Sequence, residues 1–285
     1  MTQIAHKTIL ITGGASGIGR RLALKTAGLG ARVVLWDLDG EATARTLDEL
    51  RQAGPEEPRG YRCNVADRDQ VYETAETVRR EAGRVDILVN NAGCVTGKRL
   101  LDCTDEEIQR SMEVNTLAHF WTVKAFLPAM IEAGAGHIVT IASAAAVVGV
   151  AGLADYCASK WAVFGFNESL RVELKQTAPW VKTTVVCPFF IRSRMFEGVR
   201  TRFSRLLPIL DEEVVADRIV GAICRDRAQV FLPRLVGFVP LLRVMPACWY
   251  DGLSNLLGIN RAMDTFVGQH AGAAPVEANK ETRPQ

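Results

Sequence analysis

Tyr156 and Lys160 stand four residues apart in the run Y-C-A-S-K. On a helix that spacing is one turn, so both side chains emerge on the same face. An ammonium beside a phenol favours the phenolate and draws its pKa down from about 10 towards working pH. A tyrosine tuned in this way can act as general acid or base while an alcohol and a carbonyl interconvert. A second run, T-G-G-A-S-G-I-G at residues 12 to 19, holds Gly13, Ser16, Gly17, Ile18 and Gly19 between a strand-like stretch and a helical one. Glycine there permits a tight turn and a close backbone approach to a pyrophosphate, while the helix N-terminus offers amide donors and a positive dipole. Asp37 follows at the end of the next strand-like run. A carboxylate in that place accepts hydrogen bonds from both adenosine ribose hydroxyls and repels a 2′-phosphate. Neither Ser16 nor Leu38 offers a cation against that repulsion, so the expected cofactor is NAD rather than NADP. Arg20 and Arg21 are expected to face solvent or to pair with acids.

The elements that must carry these residues alternate in type. Apolar strand-like runs at 8–11, 32–36, 61–63, 85–89, 136–142, 182–187 and 230–232 are separated by helical patterns at 17–29, 41–52, 68–82, 105–131, 154–175 and 212–224. Such alternation marks βαβ units. The expected fold class is α/β, a single Rossmann-type doubly wound parallel sheet with helices on both faces and an apolar helical extension at the C-terminal end. Thr104 is the expected N-cap of the fourth helix, and Pro128 should disturb its last turn. Residues 1–233 read as the dinucleotide-binding catalytic domain, with 191–207 as a substrate lid. Residues 234–268 read as an apolar extension packed on it, punctuated by Pro240 and Pro246, and 269–285 as a disordered polar tail.

Composition excludes several classes. A net charge of +2 with interspersed signs gives no nucleic-acid footprint. Seven scattered cysteines, none in C-x2-C spacing, argue against a disulfide framework or a zinc site and for a reducing compartment. No secretory leader is read ahead of the glycine loop, and the longest uncharged stretch, 138–154, is too short and too rich in small residues for a membrane span. The expected location is the cytoplasm. Residues 234–258 are apolar and aromatic enough for peripheral membrane or lipid contact.

Taken together these residues resemble the short-chain dehydrogenase/reductase superfamily over residues 5–233. The matching pieces are T-G-G-A-S-G-I-G, N-N-A-G at 90–93, Asn115, Ser143 and Y-C-A-S-K. The resemblance implies that Tyr156 is the catalytic acid/base and that Lys160 lowers its pKa and holds the nicotinamide ribose hydroxyls. It also implies that Ser143 hydrogen-bonds the substrate oxygen and that Asn115 supports a water relay to the lysine. By the same likeness Asn90 braces two strands, and Asn91, Ala92 and Gly93 pass close to the cofactor. Asn64, standing where an aspartate is usual, and Val65 lie near the adenine. Pro188, Ile191 and Ser193 line the nicotinamide side, with the Ser193 hydroxyl holding the carboxamide.

The run C-P-F-F-I-R-S-R-M-F-E-G at 187–198, with M-D-T-F at 263–266, looks like the branch containing retinol and 17-beta-hydroxysteroid dehydrogenases. Those enzymes act on lipophilic alcohols and ketones, and many associate with membranes or lipid droplets, although the hydrophobic N-terminal anchor of many animal relatives is absent. A lipophilic substrate is therefore expected against Ser143, Val95, Phe189, Phe190 and Phe196, in a pocket with few polar groups. Arg192, Arg194 and Arg200 are expected as solvated or ion-paired lid residues. A homodimer or homotetramer is implied by the likeness alone. Two other readings stand beside this one: a reductase of small polar carbonyls, which needs those arginines in the pocket, and a non-catalytic NAD-binding protein at a lipid surface.

Overall fold

The computed structural model describes residues 1–267. Seven strands, β1 (Thr8–Thr12), β2 (Arg32–Asp37), β3 (Arg59–Arg62), β4 (Ile87–Asn90), β5 (Gly136–Ile141), β6 (Val181–Pro188) and β7 (Gln229–Leu232), alternate with helices. The helices are α1 (Gly17–Gly28), α2 (Gly40–Ala53), α3 (Arg68–Ala82), α4 (Asp105–Met112), α5 (Ala118–Glu132), α6 (Ala154–Thr177) and α7 (Glu212–Cys224), with α8 (Val239–Leu242) and α9 (Ala247–Leu256) in the extension. Every strand pair is parallel, in the order β3-β2-β1-β4-β5-β6-β7. The order reverses between β1 and β4. In such sheets the crevice beyond the carboxyl ends of those two strands is where ligands bind.

The central strands read as unbroken apolar runs because both of their faces are covered. On one face Leu10, Val34, Trp36 and Leu88 pack with α3, α5 and α6, and Trp36 meets Phe126 at 5.6 Å between ring centroids. On the other, Ile9, Ile11, Val33 and Leu35 pack with Leu22 of α1 and Ile219 of α7. Burying each such side chain is worth about 1.5–3 kcal/mol, so the sheet is the rigid part to which the site is fixed.

The expected single helix over 105–131 is interrupted. Thr104 caps α4 in a reciprocal capping box with Glu107, but residues Glu113–Leu117 form a π turn before α5 begins. The wider turn sends Asn115 inward, and π bulges of this kind recur at functional positions. Pro128 sits inside α5, which runs on to Glu132. The extension is tied down by Arg243, whose Nε donates to the Val147 carbonyl at 3.1 Å and whose guanidinium lies 4.2 Å over the Trp161 ring. The tail expected to be disordered from 269 lies outside the described residues.

Candidate active site

The glycine loop leaves β1 and enters α1. Gly13 and Gly17 adopt φ of +61° and +52°, which side chains rarely tolerate. A Cβ on Gly19 would stand 2.1 Å from the Gly13 carbonyl oxygen, so the two turns approach as closely as backbone allows. Ser16 occupies the N-cap position without spending its hydroxyl on the helix, and the first turn of α1 carries no acid. The amide donors and positive dipole of that helix end are therefore left for an anion. Ile18 packs at the margin of the core beneath. Asp37 ends β2 beside this loop, its carboxylate accepting from Ala15 N–H at 2.9 Å and Asp39 N–H at 3.1 Å. Arg20 pairs with Glu49, while Arg21 stands 3.7 Å from Glu213, so both cations are engaged by acids.

The loop after β4 closes the other wall. Asn91 donates its amide to the carbonyls of Thr12 and Gly13 at 2.9 and 3.0 Å, and the Thr12 hydroxyl accepts from Asn91 N–H and Ala92 N–H, each at 3.0 Å. Asn91 is thus the brace between the two loops. Asn90, expected to brace two strands, instead accepts from the Thr122 hydroxyl at 2.8 Å and fastens β4 to α5, because alternation along β4 turns it to the helical layer. Gly93 is hemmed in: a Cβ there would lie 3.2 Å from Asn115 Oδ1 and 3.7 Å from Lys160 Nζ. Asn64 accepts from Ala66 N–H at 3.1 Å, and Val65 is buried beside it. Pro188 ends β6, Ile191 is bridged to Leu210, and the Ser193 hydroxyl reaches only the Ile191 carbonyl, at 3.5 Å. Glycines that a Cβ would block, an uncommitted helix terminus and a carboxylate one strand over fit a dinucleotide.

Tyr156 and Lys160 lie on the first turns of α6, 4% and 3% exposed. Lys160 Nζ donates to the Ile141 carbonyl at 3.1 Å and lies 5.7 Å from the centre of the Tyr156 ring. Ser143 leaves the end of β5, accepts from Ala145 N–H at 3.1 Å, and is placed to hydrogen-bond the Tyr156 phenol. Asn115 does not reach freely into the cleft. Its oxygen accepts from Cys94 N–H at 2.9 Å, and its nitrogen donates to the Cys94 carbonyl at 2.9 Å and to the Ser159 hydroxyl at 3.0 Å.

The expected lowering of the tyrosine pKa is overturned for the protein alone. Burial pushes the Tyr156 phenol well above its ordinary value, and the Ser143 hydroxyl draws it only part of the way back. Burial likewise brings Lys160 down to about 8. Desolvation disfavours both charged forms and is the largest cause for each.

The substrate side is apolar. Tyr156, Phe189 and Phe190 are buried in one cluster with Val95 and Phe196 against it. Phe196 stands edge-on to Tyr156 at 6.0 Å and to Phe190 at 5.4 Å, and Phe189 meets Phe190 at 4.8 Å. Val236, Ala262 and Met263 of the extension join the same cluster. Residues 262–267 are bonded to the loop 197–200: Arg200 N–H donates to the Ala262 carbonyl, Val267 N–H to the Glu197 carbonyl, and the Thr265 hydroxyl to the Gly198 carbonyl. Arg192, Arg194 and Arg200 are exposed. Among the described residues no group of three metal-binding side chains converges.

Sequence reasoning missed Thr12 and Ser159, which hold Asn91 and Asn115. It also missed a buried pair in which the Thr96 hydroxyl donates to Asp155 at 2.7 Å beside Tyr156. Thr12 and Ser159 had one signal, a small polar residue inside an otherwise recognised motif, and Thr96 and Asp155 had none.

Comparison with known proteins agrees with this geometry. A family model described as short chain dehydrogenase matches residues 7–203. Human epidermal retinol dehydrogenase 2 is 47% identical, covering 93% of this chain and 87% of the relative. Rat retinol dehydrogenase 10 is 40% identical, covering 95% and 87%. Among solved structures, a short chain dehydrogenase/reductase from Burkholderia phymatum in complex with NAD superposes with a TM-score of 0.77 at 29% identity, covering 91% of this chain and 98% of that one. A metagenomic short-chain oxidoreductase in complex with NADP superposes with a TM-score of 0.67 at 31% identity, covering 81% and 96%.

Proposed function

The chain belongs to the short-chain dehydrogenase family, and from that footing we propose that it is an NAD-dependent oxidoreductase interconverting a lipophilic alcohol and its aldehyde or ketone. Family membership makes it an oxidoreductase acting on CH–OH groups with a nicotinamide cofactor. The finer reading names a retinoid, steroid or long-chain alcohol as substrate. The observation that carries it is the position of the Tyr156 phenol, buried within reach of Ser143 inside a cluster of Phe189, Phe190 and Phe196. The names of the retinol dehydrogenases among its relatives support the same class.

In this reading Gly13, Ser16, Gly17, Ile18 and Gly19 cradle the pyrophosphate, Asp37 the adenosine ribose, and Asn64 and Val65 the adenine. Asn91, Ala92 and Gly93 form the wall opposite, and Pro188, Ile191 and Ser193 flank the nicotinamide. Bound there, the nicotinamide supplies the hydride acceptor or donor. Tyr156 takes or gives the hydroxyl proton of the substrate, and its neutral, buried phenol is in the donor state for reduction. Ser143 donates a hydrogen bond to the oxygen as charge develops there. Lys160, with a pKa near 8, can change charge close to neutral pH and hold ribose hydroxyls. Asn115 acts by holding the Cys94 loop beside that lysine.

Asp37 supports NAD over NADP, since Arg20 and Arg21 are already paired with acids. Exposed Phe120 on α5 with Trp161 and Val172 on α6 supports self-association through those helices. Among the described residues no helix is long and apolar enough to cross a membrane. Exposed Phe238, Leu241 and Trp249 support peripheral contact instead.

Replacing Tyr156 with Phe is expected to lower kcat by about 10²–10⁴-fold while NAD affinity stays unchanged. Wild-type turnover in that variant would remove the mechanism. A spectrophotometric screen with NAD and NADP over retinoids, steroids, fatty alcohols and small secondary alcohols identifies the substrate class. Preference for the small polar members would favour the other reductase reading.

A further inference from the structure

Most arginines of α1 to α3 face a carboxylate: Arg20, Arg21, Arg45, Arg51, Arg68, Arg79 and Arg80 are all ion-paired. A different arrangement stands where the loop after β6 meets the extension. Arg200, Arg202 and Arg261 line a half-open recess of about 620 Å³ together with Thr201, Asn255 and Gly258. All three guanidinium-bearing residues are exposed, and among the described residues no ion pair includes any of them. Arg202 gives one N–H to the Leu256 carbonyl at 3.2 Å and packs its stem over Gly258, whose φ of +75° and missing Cβ make the room. The Asn255 oxygen is taken by the Asn260 amide at 2.7 Å, which leaves the Asn255 nitrogen as a donor.

The lining is therefore rich in donors: guanidinium forks, an amide nitrogen and a hydroxyl, with no carboxylate among its side chains to offset the charge. Like charges gathered this way repel one another unless an anion with several oxygens joins them. Guanidinium forks match phosphate oxygens two at a time. Phe203, whose ring lies 5.4 Å from the Arg202 guanidinium, and Leu256, whose carbonyl Arg202 bonds, are exposed beside it. We propose that this recess is a binding site for a phosphate monoester, distinct from the dinucleotide cleft. An occupant would bridge Arg200 and Arg202 of the lid to Arg261 of the extension, reinforcing the bonds that already join the two. The bordering apolar side chains suit a phosphate carried on an amphiphile, but the recess itself recognises the phosphoryl group.

The test is binding to the full chain and needs no turnover, so its failure leaves the oxidoreductase reading standing, and the reverse holds as well. Inorganic phosphate is titrated calorimetrically, and phosphatidylcholine vesicles with and without phosphatidic acid are tested by sedimentation. Each guanidinium removed is expected to weaken binding about tenfold, so R202A/R261A loses it and R261A is intermediate. R68A/R79A, which removes the same charge from α3, is expected to bind as wild type. Binding of phosphate alone identifies a soluble ester as the source, and binding of phosphatidic acid vesicles alone identifies a lipid headgroup. If R202A/R261A fails to fold, R261A and R261E carry the comparison. Absence of binding to either probe, wild-type binding by R261A and R261E, or equal loss in R68A/R79A would overturn the proposal.

Discussion

Tyr156 illustrates how spacing and environment divide the description of a residue. Its partnership with Lys160 and Ser143 was legible, because the first is one helical turn away and the second ends a recognisable strand. The direction of its pKa was not, because burial is a property of what the chain folds against it. Thr12 and Ser159 were hidden for a related reason: their partners lie 79 and 44 residues away. Asp37 gives the sharpest prediction at this scale. Asp37→Asn keeps the shape that accepts from Ala15 but removes the charge. The expected result is about a tenfold fall in kcat/KM with NAD, one charge-assisted bond made neutral, and a gain with NADP. An unchanged ratio between the two cofactors, measured by initial rates, would take away the basis for NAD preference.

At the scale of elements, every strand and each of the helices through residue 224 except the one expected over 105–131 followed from periodicity, with ends displaced by a residue or two. The π turn at Glu113–Leu117 did not, since one extra residue in a helix leaves no mark in the apolar pattern. It is set by Asn115, whose amide finds its partners on Cys94 and Ser159. The segment 262–267 likewise needs the fold to explain it. Gly97, at φ +70°, leaves space that the Phe266 ring fills, and a Cβ there would stand 2.0 Å from that ring. Gly97→Ala is expected to lift Phe266 from its seat and raise KM for a lipophilic substrate about tenfold, with KM for NAD unchanged. Equal rises in both constants would instead mean a general loss of structure.

For the whole molecule, the balance of charge and burial sets the range of pH over which the sheet holds. His137 is buried between strands, with ring nitrogens 3.0 Å from the Thr2 hydroxyl and 2.8 Å from that of Thr184, and burial lowers its pKa to about 4. His119, buried on α5, falls to about 3 for the same reason. Both imidazoles stay neutral in the fold while the unfolded chain takes up protons below about pH 6.5. Stability is therefore full above that value and falls as pH drops towards 4, by up to about 1.4 kcal/mol per pH unit for each ring. Denaturant midpoints between pH 7 and 4.5 measure this, and H119Q/H137Q is expected to flatten the slope. A slope that survives the double substitution would assign the acid sensitivity to the carboxylates.

The bonds joining 197–200 to 262–267 have one more consequence. Rungs of this sort, two between backbones and one from a threonine hydroxyl, resist shear but can part together, like a hatch rather than a drawer. In the proposed reading, a lipophilic guest packed against Met263 and Phe266 would leave as these rungs open. Chain length would then govern how firmly such a guest settles, and the opening of the rungs the rate at which it leaves.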